Sequence, residues 1–291
     1  MEYKFKKEYL KKPEWLKIRL PAGKEFKEVF ETLKFYNLST VCQEARCPNI
    51  AECWAKKSAT IMILGRICTR ACRFCAVETG NPGGIIDPDE PVKVAEVVNK
   101  FGLKYVVITS VDRDDLPDLG SSQYAKTVMA IKRKNPETRI EVLIPDFNCQ
   151  HNFLDKIIEA KPFIIGHNLE TVKRLTPYIR DRRCGYEKSL NVLKIVKEKD
   201  SGILTKSGFM LGLGETEDEI ISTLQDLKDA GVNIITIGQY LQPTKRHIPV
   251  EKYYTPDEFR KYKEIGENLG IKYVLSGPLV RSSYHASEIP F

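Results

Sequence analysis

The stretch Gly65-Arg66-Ile67-Cys68-Thr69-Arg70-Ala71-Cys72-Arg73-Phe74-Cys75 follows directly on Thr60–Leu64, a short apolar run with the length of a buried strand. Its cysteines are spaced C-x3-C-x2-C. Three thiolates in one short loop can hold three corners of an iron–sulfur cube and leave the fourth iron open to another ligand. The spacing alone also admits zinc. Zinc prefers a closed tetrahedral set, often made of paired C-x2-C units, and only one C-x2-C is present. The ligand set and its position after a strand therefore favour iron and sulfide. Upstream, Cys42, Cys47 and Cys53 form a second triad, C-x4-C-x5-C, so six of the eight cysteines fall in two clusters. Two incomplete sets in series point to two clusters with different tasks.

Downstream of this loop, short β-rich runs alternate with helical patterns. After Thr60–Leu64 the expected strands are Tyr105–Thr109, Arg139–Ile144, Phe163–Gly166, Gly208–Leu211 and Ile234–Ile237, with Tyr273–Ser276 as a further edge strand. Val94, Val97, Val98 and Phe101 fall on one helical stripe, as do Ile220, Leu224 and Leu227. Thr216-x-x-Glu219 has capping-box spacing, and Thr255-Pro256-Asp257-Glu258 supplies an N-cap, a proline at N1 and a glutamate at N3. Six rounds of alternation predict an α/β fold with a parallel sheet and right-handed crossovers. The sheet can close as a partial (β/α)6 TIM-type barrel or open as a doubly wound sheet, and in either case ligands bind at the carboxyl ends of the strands. Residues 1–58 are expected to be an N-terminal extension carrying the Cys42, Cys47 and Cys53 triad, 59–270 the barrel, and 271–291 a short C-terminal tail.

The hydrophobic content of 42% over 291 residues is enough for a large core. No run approaches a membrane span, and Met1–Lys7 has no apolar signal region. A cytoplasmic location is expected, where clustered cysteines are metal ligands rather than disulfides. The formal charge is +7, with nine Lys/Arg against five Glu in residues 1–30. Such charge suits several acidic partners and selects none. Cys149 and Cys184 have no partner at ligand spacing and read as ordinary thiols, and His151, His167, His247 and His285 show no metal spacing. Gly212 and Gly214 precede a helix without the full dinucleotide fingerprint.

The central motif, with Phe74 before its last cysteine, resembles the radical S-adenosylmethionine superfamily. The segments around it resemble the lipoyl synthase family within that superfamily. These are Val41–Trp54, Ile108–Leu116, His167–Thr171, Lys206–Glu215, Gly238–Pro243 and Gly277–Ala286, in chain order over roughly residues 36–286. The resemblance implies that Cys68, Cys72 and Cys75 ligate a [4Fe–4S] cluster whose open iron is chelated by S-adenosylmethionine. It further implies an auxiliary [4Fe–4S] cluster on Cys42, Cys47 and Cys53, with Ser283 of Arg281-Ser282-Ser283-Tyr284 as fourth ligand. A hydroxyl is a weaker match to iron than a thiolate, which suits a corner that must come loose. Without the resemblance Ser283 reads as a helix cap or turn residue.

The activity implied is a sulfurtransferase reaction: insertion of two sulfur atoms at C6 and C8 of a protein-bound octanoyl group. Two S-adenosylmethionine molecules supply 5′-deoxyadenosyl radicals, and the auxiliary cluster supplies the sulfur. The partners implied are octanoylated lipoyl domains (the acyltransferase subunit of 2-oxoacid dehydrogenases and the glycine-cleavage H protein), a reducing electron donor and an iron–sulfur carrier. No nucleic acid and no membrane are expected. By the strand-end rule, Thr109, Ser110, Asn168, Glu170, Gln239 and Tyr240 are candidate cofactor contacts, with His167 and Arg281 near them. Other sulfur-inserting radical enzymes, of the biotin synthase or tRNA methylthiotransferase kind, are the alternative enzymes. A zinc-structured nucleic-acid module is the alternative of another class, but no reader motif accompanies the basic–aromatic segment Tyr3–Trp15.

Overall fold

The computed structural model describes residues 10–18, 23–55, 59–284 and 286–288. The expectations about Met1–Lys7 and His285 lie outside these residues, as does part of Tyr3–Trp15. The main sheet has eight strands: β1 Ser39–Thr40, β2 Thr60–Ile63, β3 Tyr105–Ser110, β4 Arg139–Leu143, β5 Ile164–Gly166, β6 Leu204–Leu211, β7 Ile234–Gln239 and β8 Tyr273–Gly277. Helices Glu90–Phe101, Ser121–Lys134, His151–Glu159, Tyr186–Lys199, Glu217–Asp229 and Pro256–Asn268 fill the connections from β2 onward. Each buries the stripe its sequence carries, for example Val94, Val97 and Val98 in the first. Both expected capping boxes form, at Thr216 with Glu219 and at Thr255 with Glu258.

The chain divides into two compact units. One comprises Ile18–Arg70, Val77–Ile165 and Ser283–Phe291, the other Met1–Lys17, Ala71–Ala76 and Gly166–Ser282. In the first, β2, β3 and β4 pair in parallel, Met62 opposite Thr109 and Thr109 opposite Leu143. The unexpected element there is β1, which lies in the extension and pairs antiparallel with β2, Thr40 opposite Ile61. Two residues give no periodic signal, so only the pairing reveals it. In the second unit β6, β7 and β8 pair in parallel, with Ser207 opposite Ile235 and Leu275 opposite Thr236. β6 begins four residues before the expected Gly208. Thr205, Lys206 and Ser207 are polar yet buried, and pairing with β7 overrides their composition. An apolar core of this unit joins Leu190, Leu193, Phe209, Ile220, Leu224, Ile237, Phe259 and Val274.

The turn that leaves β2 aims the cysteine loop. Leu64 and Gly65 both have left-handed backbone, φ 69° and 82°, a conformation that costs a leucine but not a glycine. Two buried charged side chains hold it. The Leu64 N–H donates to both oxygens of Glu90, at 3.0 and 2.9 Å. The Leu64 carbonyl accepts from Arg113 Nη1 at 2.9 Å, while the same guanidinium grips Asp115 and the Ile85 carbonyl. Burial raises the Glu90 carboxyl above its ordinary range, against the opposing pull of the Leu64 N–H and Gln123.

Glu90→Ala leaves the Leu64 N–H buried without its acceptor, so a loss of about 1–3 kcal/mol is expected in urea unfolding. Glu96→Ala, which removes a surface partner of Lys134, is the control and should cost less than about 1 kcal/mol.

Candidate iron–sulfur and cofactor sites

The cysteine loop is anchored through Arg70. In the first unit this guanidinium is only 4% exposed. It donates to Asp114 through Nε and Nη2, at 3.0 and 2.9 Å, and to Asp146 through Nη1 and Nη2, at 2.7 and 2.9 Å. Asp112 lies 3.3 Å away. Burial opposes the charge, but hydrogen bonds to Asp146 and Asp114 and the field of Asp112 outweigh it and raise the guanidinium pKa. Thr69 adds bonds to Asp114 and to the Asp112 carbonyl. Cys68 Sγ accepts the Arg70 N–H at 3.4 Å and lies 3.9 Å from Asp112 Oδ2. A short ladder, Ile67–Cys68 with Glu78–Thr79, closes the loop base.

In the second unit Cys72 Sγ accepts the Asp181 N–H at 3.3 Å, and Asp181 Oδ2 accepts the Ala71 N–H at 2.9 Å. A hydrogen bond with Cys184, then burial, pushes the Cys72 thiol pKa up. Cys184, an ordinary thiol by spacing, is thus a neighbour of Cys72. Phe74 packs on the cluster of Val172, Leu175, Ile179, Leu213 and Tyr240. The Cys75 carbonyl pairs with His247 Nε2 at 2.9 Å, and His247 Nδ1 with Thr244 Oγ1 at 2.8 Å. A carbonyl only accepts, so Nε2 carries the proton.

The second triad lies in the first unit. Helices Val41–Glu44 and Ile50–Ala55 carry Cys42 and Cys53, and the Cys47 N–H donates to the Cys42 carbonyl at 2.9 Å. Burial pushes the Cys42 thiol up to about 11. The C-terminal motif reaches the same place: Tyr284 Oη donates to Glu52 Oε2 at 3.3 Å. Ser283 is thereby one residue from a side chain that touches the neighbour of Cys53. Burial, then the Glu52 carboxylate, pushes the Tyr284 hydroxyl up to about 12.

The strand-end candidates differ in what they touch. Thr109 Oγ1 donates to the Leu143 carbonyl and Ser110 Oγ to that of Val111. Asn168 Nδ2 donates to Glu170 Oε1 at 3.0 Å and to Ser282 Oγ at 2.7 Å. Burial raises the Glu170 carboxyl. Gln239 is fully buried and holds the Leu211, Tyr240 and Lys252 carbonyls and the Tyr254 N–H. Tyr240 donates to the Ile248 carbonyl at 2.8 Å. These last two shape the loop that carries His247. His167 pairs with Ser189 at 2.8 Å. Arg281 Nη1 donates to the Val280 carbonyl. At Gly238 any Cβ would run into that carbonyl, so only glycine lets the tail cross there.

A family model of the radical SAM superfamily matches residues 62–227, and a model of the N-terminal domain of lipoyl synthase matches residues 2–47. Lipoyl synthase of Marinobacter nauticus is 52% identical over 96% of this chain and 80% of its own length. That of Myxococcus xanthus is 51% identical over 97% and 94%. The chain belongs to the lipoyl synthase family. Among solved structures, Streptococcus suis SuiB bound to S-adenosylmethionine aligns with TM-score 0.57 at 13% identity, over 91% of this chain and 64% of its own. Methylornithine synthase aligns with TM-score 0.53 at 13% identity, over 74% and 69%. These likenesses give the fold, the barrel-like architecture of radical SAM enzymes.

Family membership brings S-adenosylmethionine and [4Fe–4S] clusters as cofactors, and the donor sets fit them. All eight cysteines are thiols rather than halves of disulfides. Among the described residues no three His, Cys, Asp or Glu converge as a single metal ion would require. The cysteines of a cube each hold a different iron, so they stand further apart than the ligands of a single ion. Among the described residues no helix is long and apolar enough to cross a membrane. Arg70, His247 and Asp181 are supports that spacing did not reveal, although Arg70 lies inside the motif itself.

Asp146→Ala strips the buried Arg70 of a bidentate partner and should destabilise the cluster-free protein by about 3–5 kcal/mol in urea. Asp112→Ala removes the more distant and partly exposed carboxylate and should cost less than about 1 kcal/mol. Equal losses would mean that the cage does not hold the loop.

Proposed function

We infer that the chain is a sulfurtransferase that places two sulfur atoms, at C6 and C8, on an octanoyl group carried by a lysine of an acceptor protein. The observation that carries this is identity of about half the residues to lipoyl synthases across nearly the whole chain, with both cysteine triads in the matched length. Neither carbon is acidic, so the clusters and S-adenosylmethionine supply the hydrogen-abstracting radical and the sulfur, which no side chain could. Cys68, Cys72 and Cys75 hold the cluster that leaves an iron for S-adenosylmethionine. Cys42, Cys47, Cys53 and Ser283 hold the auxiliary one.

Thr109, Ser110, Asn168, Glu170, Gln239 and Tyr240 are assigned to the cofactor's side of the site, the last two also holding the backbone around it. Residues 1–58 act as the extension that carries the sulfur source, 59–270 as the barrel and 271–291 as a tail that delivers Ser283. The acceptors are the lipoyl domains of 2-oxoacid dehydrogenase acyltransferase subunits and the glycine-cleavage H protein. A reducing donor and an iron–sulfur carrier complete the cycle, in the cytoplasm.

The decisive measurement is a mass spectrum of an octanoylated acceptor after anaerobic reaction, where gain of two sulfur atoms is expected and an unchanged mass sinks the proposal. Cys68→Ala, Cys72→Ala or Cys75→Ala should abolish 5′-deoxyadenosine. Cys42→Ala, Cys47→Ala or Cys53→Ala should retain it and lose lipoyl product. Ser283→Cys should keep its iron and slow product, because a thiolate releases iron less readily than a hydroxyl.

The positive charge of the chain and the acidic character of lipoyl domains predict a KM for acceptor that rises with salt, as the Debye length falls from about 10 Å at 0.1 M to about 3 Å at 1 M. The KM for S-adenosylmethionine is the control.

A further inference from the structure

The tail is tied down on both sides of Ser283. In the second unit, Asn168 Nδ2 donates to Ser282 Oγ at 2.7 Å and to Glu170 Oε1 at 3.0 Å, so both N–H groups of one amide are committed. Asn168 is itself fixed. The His167 N–H donates to the Lys206 carbonyl and the Glu170 N–H to that of Gly208, which stitches this segment to β6. A Cβ at Gly208 would crowd the Thr236 hydroxyl and stand 3.3 Å from Asn168 Oδ1. On β7, Gly238 pairs with Met210 and is bare where the Val280 carbonyl comes in. Two adjacent strands thus leave room for the amide and for the tail that meets it. In the first unit, Tyr284 Oη donates to Glu52 Oε2 at 3.3 Å. Ser283 stands in the chain between these two holds.

We propose that Asn168 and Ser282 are positioning residues for Ser283: their hydrogen bond holds the tail so that the Ser283 hydroxyl stays at the iron it ligates. This rests on the reading that Ser283 is the fourth ligand of the auxiliary cluster. A hydroxyl matches iron poorly, so its hold on the metal depends on how well the chain presents it. Fixing the preceding residue cuts the entropy lost when the ligand engages. Of the two holds, the Asn168–Ser282 bond is the stronger, because 2.7 Å is a full hydrogen bond and the 3.3 Å of Tyr284 to Glu52 is long for one between oxygens. The adjacent serines then divide the work, one bound by protein and the other by iron.

The test uses the full chain with Cys68, Cys72 and Cys75 replaced by alanine, so that bound iron reports the auxiliary cluster alone. Ser282→Ala and Asn168→Ala each remove one side of the bond. Either should speed iron release to an excess of chelator by about threefold to tenfold, the scale of one neutral hydrogen bond. Added to Ser283→Ala, neither should speed release further, because the ligand they position is gone. A residue that only supports the fold would add its effect there too. In the cluster-free protein, residues 277–284 should exchange their amide hydrogens faster in both variants. Three results overturn the inference: release at the parent rate in Ser282→Ala beside faster release in Ser283→Ala, further acceleration on the Ser283→Ala background, or tail exchange that neither change alters. A parent that binds no iron, or Ser283→Ala that releases it at the parent rate, overturns the ligand assignment beneath the inference, and the two failures are thereby distinct.

Discussion

Arg70 sits between two cysteines of the loop and has its guanidinium inside a cage of carboxylates. A buried charge is tolerated only when its partners are in place, and removing one partner leaves the rest uncompensated. The loop is therefore not free to wander. Its start is set by the Leu64 turn, gripped at N–H and carbonyl by Glu90 and Arg113. Its later part is held by Asp181 at Cys72, by Phe74 on an apolar cluster and by His247 at the Cys75 carbonyl. A cluster with one open iron must be presented in one place, because a radical that meets a misplaced carbon abstracts the wrong hydrogen. In the proposed reading, the density of polar anchors in so short a loop meets that demand.

The second triad is built to a different specification. In the proposed reading its cluster is consumed, so it needs a weak corner as well as firm ones. Cys42 is the firm end, because it is buried. Ser283 is the weak end, supplied by a tail whose Tyr284 reaches Glu52. The tail has an earlier hold at Ser282, which accepts from Asn168. Ser282 therefore has work of its own next to the proposed ligand, and the two serines of the motif are not equivalent.

Much of the fold was legible because buried parallel strands leave apolar runs and the connecting helices leave stripes and caps. Thr216 and Thr255 cap where their spacing says they should. What stayed hidden was polar and paired. Thr205, Lys206 and Ser207 look like loop and are strand, since hydrogen bonding to a neighbour satisfies the backbone whatever the side chains are. Gln239 and Tyr240 sit at a strand end and read as cofactor contacts. Their polar atoms hold the chain that follows, a choice made by where Lys252, Tyr254 and Ile248 lie.

The cysteine triads, their spacing and the strand before Gly65 are properties of the chain itself. Ligand chemistry is local, so three thiols in eight residues point to a metal or iron–sulfur site before any folding is known. Alternating strand and helix patterns are local too, and they determined the architecture. Only tertiary structure decided which carboxylates surround Arg70, that Cys184 stands beside Cys72, and that Tyr284 meets Glu52 across 232 residues of chain. These are encounters between distant segments, set by packing and desolvation, and no spacing rule along a single chain encodes them.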